Sequence, residues 1–237
     1  MLKIVNFSKT YGNSSKKAVD NLSLHIKKGE IFGFIGHNGA GKTTTIKAIV
    51  GITDFDEGDI LIDGLSIKDH AIECKSKIAY IPDNPDIYTS LTGIGYLNFI
   101  ADVYGIDKNE REETIKKYAT LFEILSNLGD LISTYSHGMK QKLIIISALI
   151  HNPKLLVMDE PFVGLDPKAA FDLKQVMKKL CDNGVSIFFS SHVLEVVEKL
   201  CDRVGIIKDG KLVKCGKVSD IKGDESLEFV FLELNDK

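Results

Sequence analysis

A glycine-rich segment carries the pattern GxxxxGK[ST], which is typical of a phosphate-binding loop. It consists of Gly36, His37, Asn38, Gly39, Ala40, Gly41, Lys42 and Thr43, and Thr44 follows it. Glycines let backbone N–H groups approach phosphate oxygens, and the N-terminus of the helix that follows adds positive partial charge. Lys42 would contact the β- and γ-phosphates of a nucleotide, and the Thr43 hydroxyl would bind Mg2+. We therefore predict that this phosphate loop and Thr44 hold a nucleoside triphosphate.

Two adjacent carboxylates follow a short apolar run further along the chain. Residues 155–158 predict a buried strand, and Asp159 and Glu160 come directly after it. A strand of a parallel sheet delivers the side chains at its carboxyl end to the edge where ligands bind. We expect Asp159 to hold Mg2+ through water, and Glu160 to orient and deprotonate the attacking water. The two motifs predict a nucleoside triphosphatase, and the sequence lacks the NKxD motif of GTPases.

Three further motifs follow the phosphate loop, and an aromatic residue precedes it. They are Tyr135-Ser136-His137-Gly138-Met139, Gly164-Leu165-Asp166-Pro167, Ser190-Ser191-His192, and the aromatic Tyr11. With these motifs the sequence resembles the ATP-binding subunit of ABC transporters, from about residue 2 to 222. Residues 135–139, here called the signature segment, look like a variant of that family's LSGGQ signature. Leu165-Asp166 resembles the family's D-loop, and His192 resembles its switch histidine.

The resemblance implies a role for each of these residues. Tyr11 would stack on adenine, and an aromatic face alone discriminates little among bases. Ser136 and Gly138, at the start of a helix, would face a γ-phosphate that belongs to the partner subunit. Asp166 would also take part in nucleotide binding, and His192 would contact the γ-phosphate and the attacking water. Two ATP molecules would then be held in a head-to-tail dimer. The implied catalytic residues are Glu160, His192 and Lys42.

The sequence departs from the family pattern at two places. Asp83 stands where the family usually has glutamine, in the sequence Ala79-Tyr80-Ile81-Pro82-Asp83-Asn84-Pro85. Three interpretations stay open: Asp83 binds Mg2+, for which a carboxylate is a suitable ligand, or faces the membrane partner, or belongs to the turn ahead of Pro85. We take the metal ligand as the prediction. The signature segment has Tyr135, His137 and Met139 at unusual positions, which predicts slower turnover with ATP binding retained.

Short apolar runs alternate with helical patterns, which predicts an α/β phosphate-loop NTPase core with a mainly parallel sheet between helices. The predicted core strands are 31–35, 78–81, 155–158, 185–189 and 204–207, and the predicted core helices are 43–50, 168–182 and 192–199. Runs at 3–7, 18–26 and 60–62 predict an N-terminal antiparallel sheet. Helical spacing predicts a helical subdomain inserted at about 88–150. The C-terminal extension, about 217–237, fits either a helix or an edge strand, and we expect one ABC ATPase domain over 1–237.

The composition excludes several classes of protein. Of the 237 residues, 44% are hydrophobic and 27% are charged, as in ordinary globular proteins and unlike disordered chains. The 30 basic and 33 acidic residues give a net charge of -3, so no basic field recruits nucleic acid or an anionic membrane. The longest apolar stretch, 143–150, is too short to span a bilayer. The N-terminus shows no hydrophobic signal core, and the four cysteines show no metal spacing, which predicts reduced thiols in the cytosol.

The leading hypothesis is an ATPase subunit, with ATP and Mg2+ as ligands, that powers transport by separate transmembrane permease chains. We expect it to be cytoplasmic, at the inner face of the membrane, with a second ATPase subunit as partner and no nucleic acid. By resemblance alone, it is most similar to bacterial exporter and bacitracin-type subunits. Five residues after Asp83 either shape the groove for a permease helix or belong to the core of the helical region: Tyr88, Leu91, Tyr96, Phe99 and Tyr104.

Two other hypotheses come from different classes. A soluble ABC-type ATPase of DNA repair or of the ribosome is disfavoured, because the sequence has no long coiled-coil insertion, second cassette or basic tail. A nucleotide-binding regulatory module with little turnover is kept open by Asp83 and by the altered signature segment. Hydrolysis measured with and without detergent-solubilised membrane partners separates these hypotheses.

Overall fold

The computed structural model describes residues 1–12, 16–84 and 86–236. Residues 235 and 236 are described by their backbone alone. Within these residues the strands form a four-stranded sheet, β2-β1-β4-β5, and a six-stranded sheet, β10-β9-β3-β8-β7-β6. The strands are β1 (Leu2–Lys9), β2 (Val19–Ile26), β3 (Ile31–Ile35), β4 (Glu57–Ile62), β5 (Leu65–Ser66), β6 (Ile78–Ile81), β7 (Leu155–Met158), β8 (Ser186–Ser190), β9 (Arg203–Lys208) and β10 (Lys211–Lys217).

The six-stranded sheet forms the centre of the molecule. Strands β9, β3, β8, β7 and β6 run parallel, and β10 lies antiparallel at one edge. Strands β3, β7 and β8 are buried along their whole length, which explains why each contains a continuous apolar run rather than an alternating pattern. These three strands are neighbours, so their carboxyl ends meet at one edge of the sheet. The segments that begin at residues 36, 159 and 191 therefore start close together.

The four-stranded sheet is antiparallel, and its strands all come from residues 2–66 of the chain. Strand β1 pairs with β2 and with β4. Its buried residues, with the first helix and one face of the central sheet, form a second hydrophobic core. Phe7, Phe32, Phe34 and Ile46 are fully buried there. Burial of large side chains of this kind stabilises a fold by about 1.5–3 kcal/mol each, so this core fixes the sheet against the phosphate loop's helix.

The helices cover the central sheet and fill the region between β6 and β7. They are α1 (Lys42–Ile49), α2 (Ala71–Ser76), α3 (Gly93–Val103), α4 (Lys108–Leu121), α5 (His137–Leu149), α6 (Pro167–Asp182), α7 (Leu194–Leu200), α8 (Val218–Lys222) and α9 (Leu227–Asp236), with short 3-10 turns at Leu125–Asn127 and Ile132–Thr134. Side-chain oxygens cap the first turns of α3 to α6 from Thr92, Asp107, Ser136 and Asp166. Such caps stabilise a helix by about 1 kcal/mol each.

The predicted fold class is confirmed, with differences in detail. Each predicted core strand is present to within one residue at either end, and the tail is the helix α9 rather than an edge strand. The sequence did not predict β5, β10, α2 or α8. Strand β10 is an edge strand with mostly exposed or half-buried residues, so it lacks the apolar run that marks a buried strand. The description of residues 88–150 as a subdomain, and of 217–237 as an extension, stays a prediction.

The described residues contain no helix with the length and apolar character needed to cross a bilayer. The four cysteines, Cys74, Cys181, Cys201 and Cys215, form no disulfide. Burial raises the pKa of the Cys181 thiol to about 12 and raises that of Cys201 as well. Cys181 and Cys201 therefore pack against the core and are not activated as nucleophiles.

Candidate active site

The phosphate loop connects the end of β3 to the first residue of α1. Gly41 has a φ of 109°, a left-handed conformation that favours glycine, and it precedes the helix directly. A Cβ atom at Gly36 would lie 2.5 Å from the Ile207 carbonyl oxygen, and one at Gly41 would lie 2.6 Å from the Ala18 carbonyl oxygen. Both positions therefore require glycine, as the motif predicts. The loop is held from outside by the Gly210 N–H, which donates to the Ala40 carbonyl at 3.0 Å.

Lys42 is buried at the centre of the loop. Its Nζ donates to the Gly36 carbonyl oxygen at 2.6 Å and to the His37 carbonyl oxygen at 3.1 Å. Burial lowers the pKa of Lys42, and the charges of Glu160 and Asp159 act in the opposite direction. The ammonium group is therefore surrounded by acceptors inside the loop, where a phosphate oxygen could replace the carbonyls.

The two carboxylates lie at the end of β7 and share one serine. The Ser190 hydroxyl donates to Asp159 Oδ1 at 2.5 Å, and it accepts a hydrogen bond from the Glu160 N–H at 3.0 Å. Glu160 has a φ of 49°, which is an uncommon backbone conformation for a residue other than glycine. Strain of this kind clusters at functional sites. Ser190, at the end of the neighbouring strand β8, thus fixes Asp159 directly and Glu160 through its backbone.

Ser190 is a functional residue that sequence reasoning missed. The sequence includes it in Ser190-Ser191-His192, but only His192 was assigned a role. A serine at the end of an apolar strand carries no pattern that distinguishes a positioning hydroxyl from an ordinary one. The pairing of β7 with β8 is what brings it to the carboxylates.

His192 and Glu160 form a hydrogen-bonded pair. His192 Nδ1 lies 2.8 Å from Glu160 Oε2, and the His192 backbone N–H donates to the same oxygen at 3.2 Å. The histidine side chain is 61% exposed and the glutamate side chain 15% exposed, so the pair opens toward solvent on the histidine side. The structure thus brings two of the predicted catalytic residues into direct contact.

One cavity of about 240 Å³ joins the phosphate loop to the carboxylates. Its lining includes Asn38, Gly39, Gly41, Lys42, Thr43, Thr44, Asp83, Asp159 and Glu160. The three predicted Mg2+-binding residues, Thr43, Asp159 and Asp83, therefore face a common space. No three His, Cys, Asp or Glu side chains of the described chain form a metal-binding group by themselves. That arrangement fits Mg2+, which usually takes one or two carboxylates together with substrate phosphates and waters.

Tyr11 lies beside this cavity rather than in it. A neighbouring hollow of about 280 Å³ is lined by Tyr11, Lys16, Lys17, Ala18, Gly39, Asp209 and Gly210. It shares Ala18 and Gly39 with the phosphate cavity. The Tyr11 side chain is about half exposed, as a ring that stacks on a base must be. A base beside Tyr11 would thus be contiguous with phosphates at the loop.

The signature segment and Asp166 stand apart from the phosphate cavity. Ser136 is exposed and caps α5, where its Oγ accepts a hydrogen bond from the Met139 N–H at 3.2 Å. Asp166 caps α6 and pairs with Lys142 at 2.8 Å; this ammonium holds the pKa of the Asp166 carboxyl below its ordinary value. Ser136, Gly138 and Asp166 are not among the residues that line the cavity. The structure does not bring these three predicted residues to the chain's own phosphate loop.

Two departures from the signature pattern have structural explanations. Tyr135 is buried, and its hydroxyl donates to the Asn127 carbonyl oxygen at 2.5 Å, so it anchors the start of α5. The His137 ring occupies the space that a Cβ atom at Gly164 would need, and Gly164 has a φ of 79°. Gly138 in turn allows the Gly164 carbonyl oxygen to approach, since a Cβ there would lie 2.8 Å from it. The signature segment therefore packs directly on Gly164.

Asp83 lies at the mouth of the cavity, two residues after β6 ends, and is exposed. Pro85, which belongs to the same turn in one of the three interpretations, is outside the described residues. Replacing Asp83 with Asn keeps the shape and removes the charge. If Asp83 binds Mg2+, we expect the Mg2+ concentration for half-maximal hydrolysis at saturating ATP to rise on the order of tenfold, because one carboxylate charge is lost.

The Mg2+ titration distinguishes the three roles of Asp83. An unchanged titration curve with lost stimulation by a membrane partner would assign Asp83 to coupling. An unchanged curve with normal stimulation would leave Asp83 as a turn residue. Asp86→Asn, three residues further along the chain, is the matched control for a change of surface charge.

Comparison with known proteins finds a matching family and several relatives. Residues 19–163 match the family described as "ABC transporter". The chain is 38% identical over 221 residues to the linearmycin resistance ATP-binding protein LnrL of Bacillus subtilis (strain 168), which covers 93% of this chain and 70% of that protein. It is 37% identical over 215 residues to the bacitracin transport ATP-binding protein BcrA of Bacillus licheniformis, covering 90% of this chain and 69% of that protein.

Solved structures show the same arrangement of elements. An ATP-binding subunit of an ABC transporter superposes with a TM-score of 0.94 at 32% identity and covers 99% of both chains. The ATP-binding cassette MJ0796, in a dimeric post-hydrolysis state bound to ADP and Pi, superposes with a TM-score of 0.84 at 25% identity. That comparison covers 92% of this chain and 99% of the other.

Proposed function

Because this chain belongs to the ABC transporter family of ATP-binding proteins, we propose that it powers a separate membrane permease that exports its substrate. The chain is an ABC ATPase, which binds ATP and hydrolyses it to ADP and phosphate. Export is supported by the relatives LnrL and BcrA, which are named for linearmycin resistance and bacitracin transport. The proposed place of the subunit is the cytoplasmic face of the membrane, as a peripheral component.

The observation that carries the proposal is the single cavity shared by Lys42, Thr43, Asp159 and Glu160. Backbone N–H groups of the phosphate loop would bind the phosphates, and Lys42 would exchange the carbonyls of the loop for β- and γ-phosphate oxygens. Thr43, Asp159 and Asp83 would hold Mg2+. The ion supplies charge that offsets the negative charge developing on the phosphates.

Glu160 is the proposed general base. It would accept a proton from the water that attacks the γ-phosphate. His192, 2.8 Å from the Glu160 carboxylate, would hold it in place and contact the γ-phosphate. Ser190 would keep both carboxylates at the sheet edge through its two hydrogen bonds.

A second copy of the chain is the proposed partner that completes the site. Ser136 and Gly138 begin a helix whose N-terminus is exposed, and they do not line their own chain's cavity. In a head-to-tail dimer they would face the γ-phosphate held by the other subunit. The dimeric state of the MJ0796 cassette supports this arrangement.

ATP-driven dimerisation tests the proposal. In the Glu160→Gln variant, where hydrolysis cannot release the nucleotide, we expect the mass measured by light scattering to double when ATP and Mg2+ are added. The same variant carrying Lys42→Ala should stay monomeric and serves as the control. A Glu160→Gln protein that binds ATP and remains strictly monomeric at high concentration would count against a homodimer and would favour a different ATPase subunit as partner.

Exposed aromatic residues mark the proposed contact with the permease. Tyr88 and Phe99 are exposed, and their rings meet edge to face at 6.1 Å. Of the five residues that the sequence singled out here, Tyr96 is buried and Leu91 is packed on the core, whereas Tyr104 stacks on His151. Exposed aromatic pairs of this kind are typical of docking sites for an apolar helix face. Tyr88 and Phe99 are therefore our proposal for the groove that receives a permease helix.

A further inference from the structure

Gln141, in the second turn of α5, is a buried amide without a protein partner. The residue is fully buried, and neither Oε1 nor Nε2 forms a hydrogen bond with any described group. A buried amide in this state carries a free-energy penalty, because hydrogen bonds to water in the unfolded chain are not replaced. The other buried polar side chains that the structure describes each have a partner: Ser8, Glu30, Lys42, Thr45, Ser147, Asp159, Ser186, Ser190 and Ser191.

Helical spacing places Gln141 on the face of α5 that packs against Gly164. His137 and Gly138 lie four and three positions before Gln141, so all three share one face. His137 and Gly138 both contact Gly164, and Lys142, next to Gln141, pairs with Asp166 at 2.8 Å. Gln141 therefore lies on the part of α5 that is next to Gly164 and Asp166.

Residues 161–166 connect the proposed general base to α6. The segment directly follows Glu160, whose φ is 49°, and it ends at Asp166, which caps α6. Inside it, the Val163 N–H donates to the Glu160 carbonyl oxygen at 3.1 Å, and the Leu165 N–H donates to the Phe162 carbonyl oxygen at 3.4 Å. A small shift of residues 161–166 against α5 would also move the Glu160 backbone, because residue 161 directly follows Glu160.

We propose that Gln141 is a positioning residue for ATP hydrolysis. When Ser136 and Gly138 take up a γ-phosphate, the Gln141 amide forms hydrogen bonds with the backbone of residues 161–165 and fixes Glu160 in its catalytic position. The inference rests on the proposed role of the signature segment in the partner's ATP site.

The kinetics of two substitutions at Gln141 test this role. Methionine has a similar length and flexibility but almost no capacity for hydrogen bonds. In Gln141→Met we expect kcat to fall on the order of tenfold, the effect of losing one hydrogen bond from the transition state. The KM for ATP should not change, because Gln141 does not line the phosphate cavity. The Tm of the nucleotide-free protein should stay the same or rise, since an unpaired amide has been removed.

Gln141→Glu adds a pH signature that a purely structural role would not produce. A neutral carboxyl group keeps one donor and one acceptor, and burial raises the pKa of a carboxyl group. We expect kcat relative to wild type to be restored at low pH, where this group is neutral, and to fall as the pH rises through its raised pKa. Ser147→Ala removes a buried hydroxyl from the same helix and is the control, with kcat unchanged.

Each outcome decides the proposal. A wild-type kcat in Gln141→Met overturns it, whatever the Tm does. A joint fall of kcat and of the nucleotide-free Tm in Gln141→Met, without recovery of Gln141→Glu at low pH, shows a structural role and also overturns it. Failure of the proposed function would look different, because the wild-type protein in the same assay would then bind ATP without dimerising or hydrolysing it.

Discussion

Replacing Glu160 with Gln should lower the rate of ATP hydrolysis by about 10²–10⁴-fold, the usual effect of removing a general base. The amide keeps the shape of the side chain but cannot accept the proton of the attacking water. ATP binding should not change, because in the proposed site the phosphates would be held by the phosphate loop and Lys42 rather than by Glu160. Phosphate release measured at saturating ATP, together with the Kd for ATP, checks both expectations.

The control for this substitution lies on α7. Glu195 is an exposed carboxylate that pairs with Lys199, and Glu195→Gln should leave hydrolysis unchanged. If Glu160→Gln hydrolysed ATP at the wild-type rate, the assignment of the general base would be wrong. His192 would then be the next candidate, because it shares the hydrogen bond with Glu160.

Lys42→Ala should weaken ATP binding itself. A hydrogen bond to a charged group contributes about 1.5–3 kcal/mol, which corresponds to a rise of about tenfold to a hundredfold in the Kd for ATP. Lys42 is the buried cation at the centre of the loop, and its ammonium already contacts two loop carbonyls. Equilibrium binding of a fluorescent ATP analogue, displaced by ATP, measures the change.

A matched lysine separates this effect from a general loss of charge. Lys47 lies in the last turn of α1, outside the phosphate cavity, and Lys47→Ala should bind ATP like the wild type. The Tm of Lys42→Ala in the absence of nucleotide must be compared as well, since the carbonyls of Gly36 and His37 lose their donor. Unchanged ATP affinity in a folded Lys42→Ala protein would remove Lys42 from the phosphate site.

The parts of the site that could be predicted from sequence are those encoded within a few neighbouring residues. The phosphate loop has a fixed spacing because its backbone must turn into a helix around the phosphates. The carboxylates follow a buried strand, so Asp159 and Glu160 were recognisable from the apolar run before them. The buried strands of the central sheet were predictable for the same reason, because each contains an apolar run.

The remaining features depend on residues that are distant in sequence. Ser190 reaches Asp159 because β8 pairs with β7, and no local sequence pattern marks this serine. The contact of His137 with Gly164 joins two motifs that are separated along the chain, so the unusual histidine could not be explained from its neighbours. Gln141 stands between two lysines in the sequence, and only its burial without a partner distinguishes it. Edge strand β10 was missed because exposure leaves no hydrophobic pattern.

In the proposed dimer, Ser136 of one subunit completes the ATP site of the other. Ser136→Asp tests it most directly, because aspartate caps a helix as well as serine does but adds a negative charge. Ser136→Asn keeps the cap without the charge and is the matched control. We expect Glu160→Gln carrying Ser136→Asn to dimerise with ATP and Mg2+. Glu160→Gln carrying Ser136→Asp should bind one ATP per chain and remain monomeric in sedimentation, because its carboxylate repels the γ-phosphate. Equal dimerisation of the two double variants would exclude this role for Ser136.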